Sequence, residues 1–234
     1  MTLKLGVPSK GRLMDKTIQW FSARGVSIAR TGSDREYAGE VTGITGISLV
    51  MLSAGEIPRE LATGRIHLGV TGSDLVQERI PGWENHVRAL TRLGFGHADL
   101  VIAVPKAWID VETPGDLDAA AAAFRATHGH RLRIATKYHR LVREYLRAEG
   151  VADYALVDSQ GATEGTVANG TAEAIADITS SGDTLAANHL RPLATPPIHR
   201  SEATLFRARS AAWSDTTRGT FADLAAKLHI DMDD

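Results

Sequence analysis

Leu3-Lys-Leu-Gly-Val7 runs directly into Pro8-Ser-Lys-Gly-Arg12, and from there into Leu13-Met-Asp-Lys-Thr-Ile-Gln-Trp-Phe-Ser22. The opening residues form a short apolar run of strand length. Pro8 and Gly11 punctuate it, and over residues 12–23 apolar positions recur at helical spacing. Strand, tight turn, helix is the repeating unit of α/β folds. The same succession continues along the chain. Residues 47–52, 67–70, 100–104, 132–135, 174–178 and 203–208 read as strands, and residues 56–63, 114–127, 138–149 and 216–228 read as helices. The alternation predicts an α/β protein with mainly parallel sheets. Two glycine-bearing segments, Gly94-Phe-Gly96 and Ser180-Ser-Gly182, are the expected crossings between two lobes. The expected organisation is therefore residues 1–93 in domain I, 94–182 in domain II, and 183–234 returning to domain I, with a ligand cleft between the lobes.

Composition narrows the class. A chain of 234 residues with 43% hydrophobic content can bury a substantial core. The absence of cysteine excludes disulfides, thiolate catalysis and cysteine-held zinc, and fits a reducing compartment. There is no apolar run of membrane-spanning length and no charged leader followed by an apolar core, so a soluble cytoplasmic protein without a membrane partner is expected. A formal charge of −2 argues against broad nucleic-acid binding, which needs clustered lysine and arginine.

The chain's most unusual segment is Asp158-Ser-Gln-Gly-Ala-Thr-Glu-Gly-Thr-Val-Ala-Asn-Gly-Thr-Ala-Glu-Ala-Ile-Ala-Asp-Ile-Thr-Ser-Ser-Gly182, which contains neither lysine nor arginine. Gly161, Gly165 and Gly170 allow close backbone approach, and Thr163, Thr166 and Thr171 carry hydroxyls. Successive N–H groups here can cradle a phosphate. Glu173 and Asp177 share a face whether the segment is strand or helix, because a spacing of four suits both periods. Such carboxylates beside a phosphate suit ribose hydroxyls or Mg²⁺. The competing reading is a polar turn before a buried strand.

Other turns follow strands as well. Val7-Pro-Ser-Lys-Gly-Arg12 resembles an anion site, with Ser9 or Gly11 presenting N–H groups at a helix start and Lys10 and Arg12 adding charge. In Val70-Thr-Gly-Ser-Asp74, Gly72 and Ser73 precede a helix, and Asp74 serves equally well as a dipole partner. Lys137 follows another strand. Walker, G-x-G-x-x-G, G-x-S-x-G and H-E-x-x-H patterns are absent. The nine histidines are scattered and read as surface or capping residues, and the tryptophans as packing.

Taken in order, Pro8-Ser-Lys-Gly-Arg-Leu13, Asp34-Arg35, Glu56-Ile-Pro58, Leu68-Gly-Val-Thr-Gly72, Leu93-Gly-Phe-Gly96, Arg133-Ile-Ala-Thr-Lys-Tyr138, and Gly161-Ala-Thr-Glu164 through Glu173-Ala-Ile-Ala-Asp177 resemble the catalytic subunit of ATP phosphoribosyltransferase. The resemblance covers almost the whole chain. It implies two lobes like those of a type II periplasmic binding protein, Mg²⁺ dependence and feedback by histidine. It also implies the first reaction of histidine biosynthesis. N1 of the ATP adenine attacks C1 of 5-phosphoribosyl 1-diphosphate, and diphosphate leaves. The cations expected to stabilise that leaving group are Lys10, Arg12 and Arg35. The resemblance places the phosphoribosyl donor on Glu164, Gly165, Thr166, Val167, Ala168, Asn169, Gly170 and Thr171, with Glu173 and Asp177. The candidates for ATP are Arg12, Gly72, Ser73 and Asp74.

Two positions depart from the family pattern. Ser53-Ala-Gly55 stands where members often carry an arginine, leaving Arg35 or Arg59 to take over a diphosphate contact. Glu173 stands where aspartate is usual. The length resembles the family's short form, which implies a separate regulatory subunit resembling histidyl-tRNA synthetase and a homo-oligomer within a hetero-oligomer. A non-catalytic two-lobe module for small anions is the alternative on the same architecture.

Overall fold

A computed structural model describes residues 2–30, 39–159 and 161–231. The chain order is β1 (Leu3–Pro8), α1 (Gly11–Ser22), β2 (Ser27–Arg30), β3 (Gly39–Thr42), β4 (Ile47–Leu52), α2 (Ile57–Ala62), β5 (Leu68–Gly72), α3 (Ser73–Arg79) and β6 (Val87–Arg92). There follow β7 (Ala98–Pro105), α4 (Pro114–His128), β8 (Leu132–Thr136), α5 (His139–Ala148), β9 (Tyr154–Asp158), α6 (Gly165–Ala168), β10 (Ala174–Thr179), α7 (Asp183–Ala187), β11 (Leu190–Pro192) and β12 (His199–Ser201). The chain closes with β13 (Ala203–Ala208) and α8 (Asp215–Leu228). Two compact units result, one containing residues up to Gly96 and from Glu202 onward, the other His97–Ser201.

In the first unit, five strands lie in the order β4-β1-β5-β13-β6, with β4, β1 and β5 parallel and β13 antiparallel to both its neighbours. Leu3, Leu5 and Val7 share one face of β1 and are all buried, whereas Lys4 on the other face is exposed. Gly69 lets α2 lie close, since a Cβ there would sit 2.7 Å from Ile57 Cγ2. Helix α8 starts on a reciprocal Ser214/Thr217 cap and ends at His229 in the left-handed region. Between those stops Phe221, Leu224, Ala225 and Leu228 recur at helical spacing and are buried against Leu3, Leu5 and Leu205. Each such large apolar side chain contributes about 1.5–3 kcal/mol on burial.

In the second unit, the order β11-β7-β10-β8-β9 places parallel β10, β8 and β9 beside an antiparallel β7, to which β12 also pairs. Helix α4 has a Thr113/Asp116 capping box, Pro114 in its first turn and Gly129 at its left-handed stop. Helix α5 buries Leu141, Val142 and Leu146 and leaves Arg143 and Arg147 exposed.

The expected strands and helices are present with ends shifted by one or two residues; the five- and six-stranded sheets are mixed, and β2 and β3 form a separate antiparallel pair. The short strands β2, β3, β6, β9, β11 and β12 were not anticipated. The second crossing falls between Ser201 and Glu202 rather than near Gly182, a correction to the expected boundary. Its cause is pairing: Leu190, Arg191 and Pro192 bond to β7, as do His199, Arg200 and Ser201, which keeps the segment after Gly182 in the second unit. Among the described residues no helix is long and apolar enough to cross a membrane.

Candidate active site

In open α/β sheets, ligands collect outside the carboxyl ends of parallel strands, where neighbouring strands send their connections in opposite directions. Each unit has one such point. In the first, β1 leads by way of α1 to the β4 side, while β5 leads through α3 toward β6. In the second, β8 leads through α5 to β9, whereas β10 leads through α7 to β11.

At the first unit's carboxyl edge, Ser9 is buried with its N–H bonded to the Leu52 carbonyl, and Lys10, Gly11 and Arg12 are exposed. Gly11 has a φ of +73°, and a Cβ there would meet nothing within 4 Å, so its glycine answers to backbone conformation and opens onto free space. Helix α1 has no side-chain cap and no acid in its first turn. Its positive end is met by no carboxylate of its own and stands beside two cations, an arrangement suited to phosphate.

The neighbouring turns are more fully occupied. Ser53 N–H and Oγ both donate to Glu56 Oε2, at 2.9 and 2.7 Å, and these bonds hold the Glu56 carboxyl below its ordinary value. At the family's arginine position, then, Ser53 binds the Glu56 carboxylate just ahead of α2, and Arg59 stands exposed on that helix. Gly72 pairs with Ala203, Ser73 N–H donates to the Glu202 carbonyl at 3.2 Å, and Asp74 is buried. Of the nucleotide candidates, only Arg12 is therefore an exposed charge. Arg35 lies outside the described residues.

In the second unit, the last β8 residue, Thr136, pairs with Ala176, so Asp177 and Thr179 extend past the end of β8. Lys137 Nζ donates to the Gly161 carbonyl at 2.7 Å, and Ser159 N–H donates to the Thr136 carbonyl. Ser159 Oγ donates to Thr163 Oγ1 in a buried bond of 3.0 Å. These contacts fix the turn after β9 at the carboxyl edge. Within it, the N–H groups of Ala162, Thr163 and Glu164 have no acceptor among the described residues. After β10, Thr179 Oγ1 accepts from Gly182 N–H at 2.9 Å, and Gly182, at φ +80°, turns the chain into α7. Ser181 Oγ donates to Asp183. This turn, where the sequence suggests a crossing between lobes, stays within the second unit. Its run of small, hydroxyl-bearing and glycine residues was the signal that it belongs to the edge.

The structure divides the expected donor segment. Glu164, Gly165 and Thr166 lie near the carboxyl edge, but the chain then runs back past Val167, Ala168 and Asn169 to the other end of the sheet. There Gly170 accepts from Arg133 Nη2 at 2.9 Å. The hydroxyls of Thr166 and Thr171 donate inward, to the carbonyls of Thr163 and Thr166. Glu173 lies just before β10, bonded to Arg133 N–H at 2.7 Å and to its guanidinium at 2.5 Å. Four residues of strand, about 13 Å, separate it from Asp177. The structure does not bring Glu173 and Asp177 together. Asp177 is half-buried at the carboxyl edge, with one oxygen accepting from Ile178 N–H at 2.8 Å.

No group of three histidine, aspartate or glutamate side chains among the described residues can hold a metal. That donor set suits a hard cation carried mainly by phosphate oxygens, which needs one or two protein carboxylates, such as Asp177.

The family model described as HisG, ATP phosphoribosyltransferase, matches residues 53–229. An ATP phosphoribosyltransferase of Cereibacter sphaeroides is 68% identical over 232 residues, covering 99% of this chain and 98% of its own. Among solved structures, the ATP phosphoribosyl transferase (HisG:HisZ) complex from Thermotoga maritima matches with a TM-score of 0.74 at 24% identity, over 97% of this chain and 96% of that one. A histidine kinase sensor domain with similarity to periplasmic binding proteins matches with a TM-score of 0.53 at 12% identity, over 97% of this chain and 89% of that one.

Proposed function

The chain belongs to the ATP phosphoribosyltransferase family, and from that premise we propose how its own residues share the reaction. It is a pentosyltransferase of the first step of histidine biosynthesis, transferring 5-phosphoribosyl from 5-phosphoribosyl 1-diphosphate to N1 of the ATP adenine. The C1–O bond to diphosphate breaks and the C1–N1 bond forms. The ring N1 supplies the electron pair and diphosphate carries one away, so no covalent enzyme intermediate is needed. Near-complete coverage by the Cereibacter relative carries this reading, and it sets aside a non-catalytic anion-binding module.

Positive charge develops on the ribosyl ring and negative charge on the leaving diphosphate, so fixed cations and N–H groups aimed at the phosphates contribute more than a general base. In the second unit, the open N–H groups of residues 162–164 and the Lys137 ammonium hold the donor's phosphates. Asp177 takes the ribose hydroxyls or the cation. In the first unit, Lys10, Arg12 and the start of α1 meet phosphate oxygens, with Arg35 and Arg59 as further cations. Mg²⁺, when bound, supplies charge neutralisation on the diphosphate. Water must be kept from C1, since hydrolysis would compete with transfer.

Cytoplasmic location fits a chain without cysteine. A regulatory subunit resembling histidyl-tRNA synthetase is the expected partner, supported by the likeness in fold to one component of the Thermotoga complex, and histidine would act through it. The test is diphosphate release by the purified protein with ATP, the phosphoribosyl donor and Mg²⁺, with and without such a subunit. Release that requires both substrates supports the reading. Release from the donor without ATP contradicts it.

A further inference from the structure

Far from these turns, the second unit carries a basic groove of about 500 Å³ at the outer edge of β9. Arg131, from the residue before β8, and Arg143 and Arg147, one turn apart on α5, line it together with Tyr154, Ala155 and Leu156. All three arginines are exposed, and no acidic side chain pairs with any of them among the described residues. Two acids nearby in the sequence are engaged elsewhere: Glu144 with Arg140, and Asp153 with Arg125. A guanidinium cluster left this way carries unspent positive charge.

The strand adds a second, independent observation. β9 is the last strand of its sheet and pairs only with β8, so its outer edge has no strand partner among the described residues. Successive strand residues face opposite sides, yet Tyr154, Ala155 and Leu156 all line the groove. The groove therefore looks onto the strand's backbone edge rather than one face. An open edge with unpaired N–H and C=O groups is a template for another strand.

We propose that this groove docks an acidic, extended segment of a partner protein, which adds to β9 as a further strand with its carboxylates over Arg131, Arg143 and Arg147. A second copy of this chain fits poorly, because pairing β9 with β9 would bring two sets of unpaired arginines together. A free phosphate would use the arginines but not the edge. Arginine suits carboxylates because its planar fork donates two parallel bonds. None of these residues belongs to the carboxyl-edge turns, so the inference stands apart from the site assigned above.

The probe is a fluorescent synthetic peptide alternating glutamate with valine, titrated into the full chain by anisotropy. Two comparison peptides are used, one N-methylated at alternate amides to block a ladder and one with lysine for glutamate. Binding of the acidic peptide should weaken about tenfold or more in about 0.5 M salt, in the Arg143→Glu/Arg147→Glu variant, and on N-methylation, with no binding of the lysine peptide. Amide exchange at residues 154–157 should slow on binding. Equal binding of the N-methylated peptide, or displacement by inorganic tripolyphosphate with no change in exchange at β9, overturns the proposal in favour of a simple anion pocket. No binding of the acidic peptide to a folded chain overturns it outright and leaves the arginines as protection of an edge strand.

Discussion

Arg133 grips Glu173 with Nη2 at 2.5 Å from Oε1 and Nε at 3.2 Å from both carboxylate oxygens, at the end of the sheet opposite Asp177. The pair ties the start of β10 to β8. Through Arg133 Nη2 and the Gly170 carbonyl it also ties down the end of the loop that leads there. One member of a carboxylate pair expected to serve the substrate is thus a clamp in the sheet.

Glu173→Gln should accordingly cost stability, about 1–2 kcal/mol for a partly exposed charge-assisted contact, and leave the KM for the phosphoribosyl donor unchanged. Burial pushes the Glu173 carboxyl up, but the bonds from Arg133 outweigh it and hold the carboxyl below its ordinary value. A folded value below the unfolded one, about 4.3, means the unfolded chain binds more protons between the two. The pair's contribution is therefore complete above the unfolded value and disappears as pH falls through the folded one. Urea unfolding should show the parent more stable than the variant at neutral pH, with the gap closing in acid. A gap that widens in acid contradicts the assignment.

Residue His67 should make the first unit acid-sensitive. Its Nδ1 accepts from Lys4 N–H at 3.1 Å, which puts the proton on Nε2, 3.3 Å from the Ala212 carbonyl. Burial, aided by the charge of Lys4, lowers its pKa despite the Ala212 carbonyl. Stability from the neutral ring is complete above the unfolded value, about 6.5, and lost on acidification toward the lower folded value. His67→Gln should be less stable at neutral pH by about 1–3 kcal/mol and lose less on going to pH about 5.5. Parallel pH profiles for parent and variant would count against this.

Neutral replacement of Lys10 or Arg12 should lower kcat and kcat/KM together, by roughly tenfold to a thousandfold for each strong contact, if the charges act mainly on the departing diphosphate. Steady-state kinetics decides this. A rise in KM alone would show that they hold the ground state equally well.

Lys137→Ala should raise the KM for the donor at least about tenfold while ATP affinity changes little, because the ammonium both carries charge and fastens the Gly161 carbonyl. Lys137→Arg should recover part of the loss. Equal effects on both substrates would mean that the lysine only supports the fold.

Much of the architecture was legible from local pattern. Leu3, Leu5 and Val7 before Pro8, and Phe221 to Leu228 after Ser214, announce their elements because period, cap and breaker agree. β9 and β11 escaped, being short and defined by pairing with distant strands rather than by their own residues. The return crossing was hidden for the same reason, since nothing near Gly182 reveals that residues 190–192 will pair with β7. At the site, a spacing of four correctly places Glu173 and Asp177 on one face. It says nothing of which end of a strand each occupies, and in a parallel sheet the end decides. The hydroxyls of Thr166 and Thr171 donate to nearby carbonyls in this structure, bonds that the sequence alone does not show.

The central claim is that the donor sits at the carboxyl edge of β8 and β10, on Asp177 and not on Glu173. Calorimetric titration of the phosphoribosyl donor and, separately, ATP into Asp177→Asn and Glu173→Gln tests it most directly. Donor affinity should fall about tenfold or more in Asp177→Asn, with ATP binding intact, and remain at the parent value in Glu173→Gln. Parent-like donor binding in a folded Asp177→Asn, or an equal loss in Glu173→Gln, would contradict the account.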